Sequence, residues 1–166
     1  MNARELKEKE LSRHLKTLLC QEGLELLGQE VQIGKFKLDA IAVDREGRIV
    51  VIELKVVCTK DALGQLLLYP RAVRQKLPSK EVRSLLITTH LDQGVVEIVD
   101  ELPWRYGITL MVCVGSVQSG LRLVAPCHPD VKDNQVWDQS KSERSPSNSW
   151  NRFVDKLANS DRGAAS

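Results

Sequence analysis

Apolar residues recur along the chain with two periods, and the change of period marks out the elements. Leu11, Leu15 and Leu18 follow one another at spacings of four and three, with Leu19 beside them, which predicts an amphipathic helix over 4–20. Three residues before Leu11 the same stripe reaches Glu8, an acid where an apolar residue belongs. Gly23 and Gly28 bracket a short connection, and an extended segment at 29–33 ends at Gly34. Residues 36–43 and 48–57, rich in Val, Ile and Ala, predict two strands. A second amphipathic helix over 60–76 carries Ala62, Leu66, Tyr69 and Val73 on one stripe. Pro70 predicts a kink or break in it, because proline brings no N–H and its ring crowds the preceding turn.

A fourth strand over 82–88, a helix over 93–106 interrupted near Pro103, a fifth strand over 108–114 and a short sixth at 121–124 complete the order. Strands and helices alternating in this way predict an α/β fold, with a central mixed sheet flanked by helices. From Ser140 the pattern lapses: seven of the last 27 residues are Ser. Residues 1–139 therefore read as one domain and 140–166 as a mobile tail, with one short helix at 150–158 built on Trp150, Phe153, Val154 and Leu157.

The turn between the second and third strands sets their register. A three-residue loop of Arg45, Glu46 and Gly47 puts Gly47 at the left-handed position such loops prefer to give to glycine. Asp44 then faces Arg48, Val43 faces Ile49, Ile41 faces Val51 and Asp39 faces Glu53.

Composition narrows the class. At 166 residues, with 42% hydrophobic and 28% charged positions, the chain has the make-up of one ordinary globular domain. No apolar run approaches the ~18 residues of a membrane span. The charged start of the chain lacks the apolar stretch of a signal peptide, so a cytoplasmic protein is expected. Cys20, Cys58, Cys113 and Cys127 stand singly, which predicts buried free thiols and neither a disulfide framework nor a zinc site. Charge is uneven, with a net +4 over residues 1–80 and −2 over 81–166. The basic stretch from Arg71 to Arg83 reads either as a solvated helix face or as a phosphate-contacting surface. Trp104 is expected in helix-end or core packing, and His90 in a loop cap after the fourth strand.

The anomaly lies in the third strand. Arg48 to Val57 is almost continuously apolar, as a strand covered on both faces should be, except for Arg48, Glu53 and Lys55. Glu53 and Lys55 share one face by the two-residue period, and burying either charge costs several kcal/mol unless something compensates. Three readings compete: an ion pair emerging into solvent, a salt bridge inside the core, and a metal site. Asp39 decides for the last. Opposed residues on paired strands hold their Cβ atoms ~4.5–5.5 Å apart, so the Asp39 and Glu53 carboxylates repel unless a cation lies between them. Mg²⁺, which binds through one or two carboxylates plus waters, suits such a pair. Glu8 is a candidate third acid, with Glu5 and Glu10 as neighbours that could take its place. Gln65 and Tyr69 lie four apart on the second helix, Gln65 offering both donor and acceptor.

Asp39, Glu53-Leu54-Lys55 and Gln65, in this order, resemble the PD-(D/E)xK nuclease superfamily, with its restriction-endonuclease-like αβββαβ core. The string from Lys37 to Lys55, followed by Gly64 to Tyr69, is most similar to the nuclease domain of the NucS/EndoMS family, over about residues 5–115. Leu38 stands where the superfamily name has Pro. A DNA-binding and dimerisation domain precedes the nuclease domain in that family, whereas this sequence begins almost directly at the nuclease helix, so the family's target preference is not expected to carry over. The resemblance implies a Mg²⁺-dependent deoxyribonuclease, an endonuclease acting in the cytoplasm, with Mn²⁺ able to substitute. Asp39, Glu53, the Leu54 carbonyl and Glu8 would hold metal, and Lys55 and Gln65 would serve the chemistry. Lys35, Lys37, Arg71 and Arg74 would position DNA. A homodimer is a possible assembly, since cutting both strands of a duplex often takes two copies. The rival readings are an inert nucleic-acid- or protein-binding module of the same fold and an RNA-directed nuclease.

Overall fold

In the computed structural model, which describes residues 8–137, helix α1 (Glu8–Gln21) leads into three antiparallel strands, β1 (Glu25–Ile33), β2 (Phe36–Val43) and β3 (Ile49–Cys58). Helix α2 (Lys60–Lys76) crosses to β4 (Val82–Asp92), which lies parallel to β3. Two short helices, α3 (Gln93–Val96) and α4 (Leu102–Tyr106), lead to β5 (Ile108–Ser116), parallel to β4, and β6 (Gly120–Val124) turns back antiparallel. The sheet order is β1-β2-β3-β4-β5-β6, with the two-residue β7 (Val136–Trp137) alongside the end of β4. A mixed sheet flanked by helices is the fold expected from the sequence.

Each face of the sheet has its own core. Leu11, Leu15, Leu18 and Leu19 of α1 are at most 1% exposed and pack on Ala40, Ala42, Val50, Ile52 and Leu54. At ~1.5–3 kcal/mol for each large side chain removed from water, this stripe suffices to dock the helix. On the opposite face Ala62, Leu66, Tyr69 and Val73 of α2 cover Leu38, Val51 and Leu86.

The β2–β3 turn forms as its residues predict. Gly47 has φ 77°, the Asp44 amide donates to the Arg48 carbonyl at 3.1 Å, and Val43 pairs with Ile49 and Ile41 with Val51. Asp44 Oδ1 also accepts from the amides of Glu46 and Arg48, which ties the turn together.

Several expectations are corrected. Helix α2 runs unbroken through Pro70. The proline deprives the Leu66 carbonyl of its helical donor, and the Ser84 hydroxyl of β4 supplies one at 3.3 Å. The helix expected over 93–106 is two helices, and Pro103 lies in the first turn of the second, where a missing N–H costs nothing. β4 continues past Thr88 to Asp92, so His90 lies within the strand. β1 starts at Glu25, four residues earlier than expected. Cys58 and Cys113 are buried, but Cys20 is exposed. Trp104 is 70% exposed, with the Arg105 guanidinium 5.0 Å from its ring. Glu5, the tail from 140 and its expected helix at 150–158 lie outside the described residues. No helix among the described residues is long and apolar enough to cross a membrane.

Candidate active site

β3 runs between β2 and β4, and the cores under α1 and α2 cover its two faces. Val50, Ile52 and Leu54 join the core under α1, and Ile49 and Val51 join the core under α2. Alternation sends Glu53 and Lys55 to the α2 side. Glu53 is 3% exposed, and its Oε1 lies 3.0 Å from the partly exposed Lys55 Nζ. Glu53 therefore does not emerge into solvent. Its other oxygen, Oε2, is buried with no hydrogen-bond partner among the described residues. Leaving a carboxylate oxygen unmet in a core is costly, and a cation is the partner whose chemistry fits it.

The charges around Glu53 reinforce this. Burial, and then the negative charge of Asp39, push its carboxyl up to about 7; Lys55 works against the rise and Glu8 adds to it. Burial disfavours the Lys55 ammonium, but its hydrogen bond to Glu53 and the charges of Glu53, Glu8 and Asp39 prevail and hold its pKa above the usual lysine value. The phenol of Tyr69 is likewise raised, by burial and then by Glu53 and Asp39. Asp39, Glu53, Lys55 and Glu8 thus act on one another across β2, β3 and α1.

Asp39 is positioned by an irregularity in β2. Leu38 packs in the core under α2 and Ala40 in the core under α1, although residues two apart on one strand should share a face. The strand rolls over at Asp39. The β2–β3 pairing ends at Ala40 and Ile52, and beyond it Asp39 Oδ2 accepts the Leu54 amide at 2.8 Å. On the other side, β1 pairs Gln29 with Ala40 and Val31 with Leu38, which puts Glu30 at the level of Asp39. Glu30 has φ 51°, a left-handed backbone rare for a residue with a side chain, and its carboxylate is held 2.7 Å from Lys37 Nζ.

A cleft of about 510 Å³ opens at this point, with Asp39 and Leu54 joined by Glu8, Ser12 and Arg13 of α1 and by Gln29 and Glu30 of β1. Among the described residues, no three His, Cys, Asp or Glu side chains converge closely enough to enclose an ion. The donors present, the Asp39 and Glu53 carboxylates, are few and all oxygen. That fits Mg²⁺, which keeps most of its shell for water and phosphate. Behind Lys55, the Thr89 hydroxyl donates to the Val56 carbonyl at 2.7 Å and the Thr88 hydroxyl lies 3.1 Å from the same oxygen, steadying the exit of β3.

The other sequence-predicted residues are more scattered. Gln65 is exposed on α2 and makes no hydrogen bond among the described residues, one turn before the buried Tyr69. Lys35 lies 5.4 Å from the Phe36 ring at the β1–β2 turn, and Lys37 is engaged by Glu30. Arg71 is exposed, and Arg74 donates to the Val82 carbonyl at 3.2 Å. Arg74 therefore sits at the start of β4, whereas Lys55 is level with Thr88, six residues further along that strand. Sequence reasoning missed Lys9, Ser12, Arg13, Gln29 and Glu30 as cleft residues. The four-residue spacing of Lys9 and Arg13 was a usable signal; nothing in the sequence marks Glu30.

Residues 6–107 match the family model of the endonuclease NucS C-terminal domain. No curated protein matches the chain. Among solved structures, a repair endonuclease from Pyrococcus abyssi is similar at 23% identity and a TM-score of 0.52, over 66% of this chain and 48% of that one. A complex of EndoMS with dsDNA is similar at 24% identity and a TM-score of 0.53, over 66% of this chain and 45% of the other. These likenesses are of fold, and the chain spans about half the length of the solved structures it matches.

Proposed function

The chain belongs to the family of the endonuclease NucS C-terminal domain, and from that premise we propose that it hydrolyses DNA phosphodiester bonds as a Mg²⁺-dependent endonuclease. The observation that carries the reading is the buried Glu53 carboxylate, one oxygen on Lys55 and the other unmet, under the charge of Asp39. A fold gains nothing from that arrangement by itself. Asp39 lines the cleft, and Glu53 with Lys55 lies within its electrostatic reach; two carboxylates and a lysine grouped in this way suit phosphodiester hydrolysis.

Asp39 and Glu53 would hold the ion, with the Leu54 carbonyl and, at the cleft rim, Glu8 as further oxygen donors. A divalent ion there supplies Lewis-acid stabilisation of the charge that builds on the phosphate and acidifies a water for attack. Asp39 is held in place by the Leu54 amide, so its geometry is set before substrate arrives. Lys55 spends one N–H on Glu53 and keeps two for a phosphate oxygen or for the attacking water. Gln65, whose side chain makes no hydrogen bond among the described residues and lies one turn from Tyr69, bridges water and phosphate once substrate is bound. Lys35 and Lys37, beside the β1–β2 turn, position the DNA backbone. Arg71 and Arg74 meet it only where the strand passes along the far half of α2.

The test is incubation with supercoiled plasmid and with single-stranded DNA in Mg²⁺, Mn²⁺ or EDTA. Nicking or cutting that requires the metal and disappears in Asp39→Asn supports the reading. Cleavage that survives EDTA or Asp39→Asn overturns it, and binding without cleavage leaves an inert DNA-binding module.

A further inference from the structure

We propose that the outward face of α1, carrying Lys9 and Arg13, is the track on which the DNA backbone lies as it enters the cleft. This rests on the nuclease reading above and adds to it how the substrate is held.

Lys9 and Arg13 are both exposed, and both line the cleft that has Asp39 and Leu54 as its floor. Four residues apart, they stand on one side of the helix with ~6 Å of axial rise between them. Successive phosphates of a strand advance ~3.4 Å along the axis of a duplex, so the rise between the two cations spans nearly two phosphate steps. Lys16 is also exposed and continues the same side of the helix by almost one more turn.

Charge balance within the cleft makes these cations necessary. Glu8, Glu30 and Asp39 all line it and would repel a polyanion. Lys37 neutralises Glu30, and the ion that Asp39 would hold neutralises that carboxylate. Among the described residues, Lys9 and Arg13 form no ion pair, whereas Lys37 and Lys55 beside the same acids do. The cleft is therefore acidic where an ion is required and carries free positive charge along the adjoining wall.

That wall is also fixed in place. Gln29 Nε2 donates to the Ser12 carbonyl at 2.9 Å and lies 3.2 Å from the Ser12 hydroxyl, tying the middle of α1 to β1 between the two cations. Below, Leu11 and Leu15 are fully buried, so the helix cannot roll without losing its core contacts. A track on a helix held at both sides keeps a constant relation to the carboxylates. Phosphate contacts of this kind set register and affinity and leave base preference alone.

The test is anisotropy of a fluorescent DNA oligonucleotide with Ca²⁺, another oxygen-seeking divalent ion, in place of Mg²⁺, titrated with the full chain over a series of KCl concentrations. The double variant Lys9→Ala/Arg13→Ala should lower the slope of log affinity against log salt by about 1–2, at ~0.7–0.9 per lost phosphate contact. It should also weaken binding at least tenfold at low salt, and raise KM for cleavage more than it changes kcat. The variant Lys9→Arg/Arg13→Lys, which keeps both charges, should retain the slope. An unchanged slope in the alanine variant overturns the track. So does an equal loss in Lys76→Ala/Lys80→Ala, which removes two charges from the end of α2 and the turn that follows it. If the unsubstituted protein binds no DNA at any salt concentration, the nuclease reading itself fails and the track falls with it.

Discussion

Asp39 accepts the Leu54 amide at 2.8 Å where the ladder between β2 and β3 has ended, so a carboxylate takes the place of a backbone carbonyl. The bond gives the acid two duties, one structural and one chemical, and two substitutions separate them. Asp39→Asn keeps an oxygen for the amide and should melt within a degree or two of the unsubstituted protein while cleaving no DNA. Asp39→Ala should lose cleavage as well and be destabilised by ~1 kcal/mol or more, because the amide is left without its partner. Thermal melts and plasmid nicking on the same preparations check both.

Glu53 makes the metal-free protein sensitive to pH. Its carboxyl titrates at about 7 in the folded chain against 4.5 for an ordinary glutamate. Between those values the folded state binds more protons than the unfolded state, so stability falls as pH rises through the window and the loss is complete above about 7. Melting temperatures in EDTA should therefore decline from pH 5 to pH 8. Glu53→Gln should flatten that decline and melt higher than the unsubstituted protein at pH 8, while being inactive. Saturating Mg²⁺ should restore the melting temperature of the unsubstituted protein at pH 8 and leave that of Glu53→Gln unchanged.

Lys55 sits on Glu53 Oε1 at 3.0 Å and competes electrostatically with any cation at the site. Lys55→Ala removes that competitor, so Mg²⁺ should bind at least as tightly by isothermal calorimetry. The single-turnover cleavage rate should fall at least ~100-fold, the scale of losing one preorganised charge at a transition state. Weaker metal binding with an unaltered rate would contradict the role assigned to the ammonium.

The four thiols should divide by position. Burial, together with Asp92, pushes the Cys58 thiol up to about 12, and burial pushes Cys113 up to about 11, while Cys20 and Cys127 are exposed. Only thiolates alkylate at useful rates. Iodoacetamide at pH 8 should label Cys20 and Cys127, with Cys58 and Cys113 reacting only after unfolding, as read by peptide mass spectrometry.

Local chemistry explains which parts of the site could be read before the fold was known. Gly47 enforces one turn, that turn enforces one register, and an apolar run broken only by Glu53 and Lys55 marks a strand with something to compensate. The spacing of leucines placed α1 across one face of the sheet, with Glu8 near the acids. Pro70 does not break the helix, because the Leu66 carbonyl it leaves without a donor is met by Ser84, a residue fourteen positions from Pro70 that no helical pattern can see.

The sequence by itself determined the order of the elements, the β2–β3 register from the turn as far as Ala40 and Ile52 but not the expected Asp39–Glu53 pair, and an acid and an amine on one face of a covered strand. Each of these follows from periodicity and turn geometry, which act over a few neighbouring residues. Tertiary structure alone decided that β2 rolls over at Asp39, that Glu30 adopts a left-handed backbone beside it, and that Lys9 and Arg13 share a cleft with both. These depend on how β1, β3 and α1 press on one strand at once, and the resulting strain is offset by contacts between residues far apart in the chain, such as the Gln29 link to Ser12.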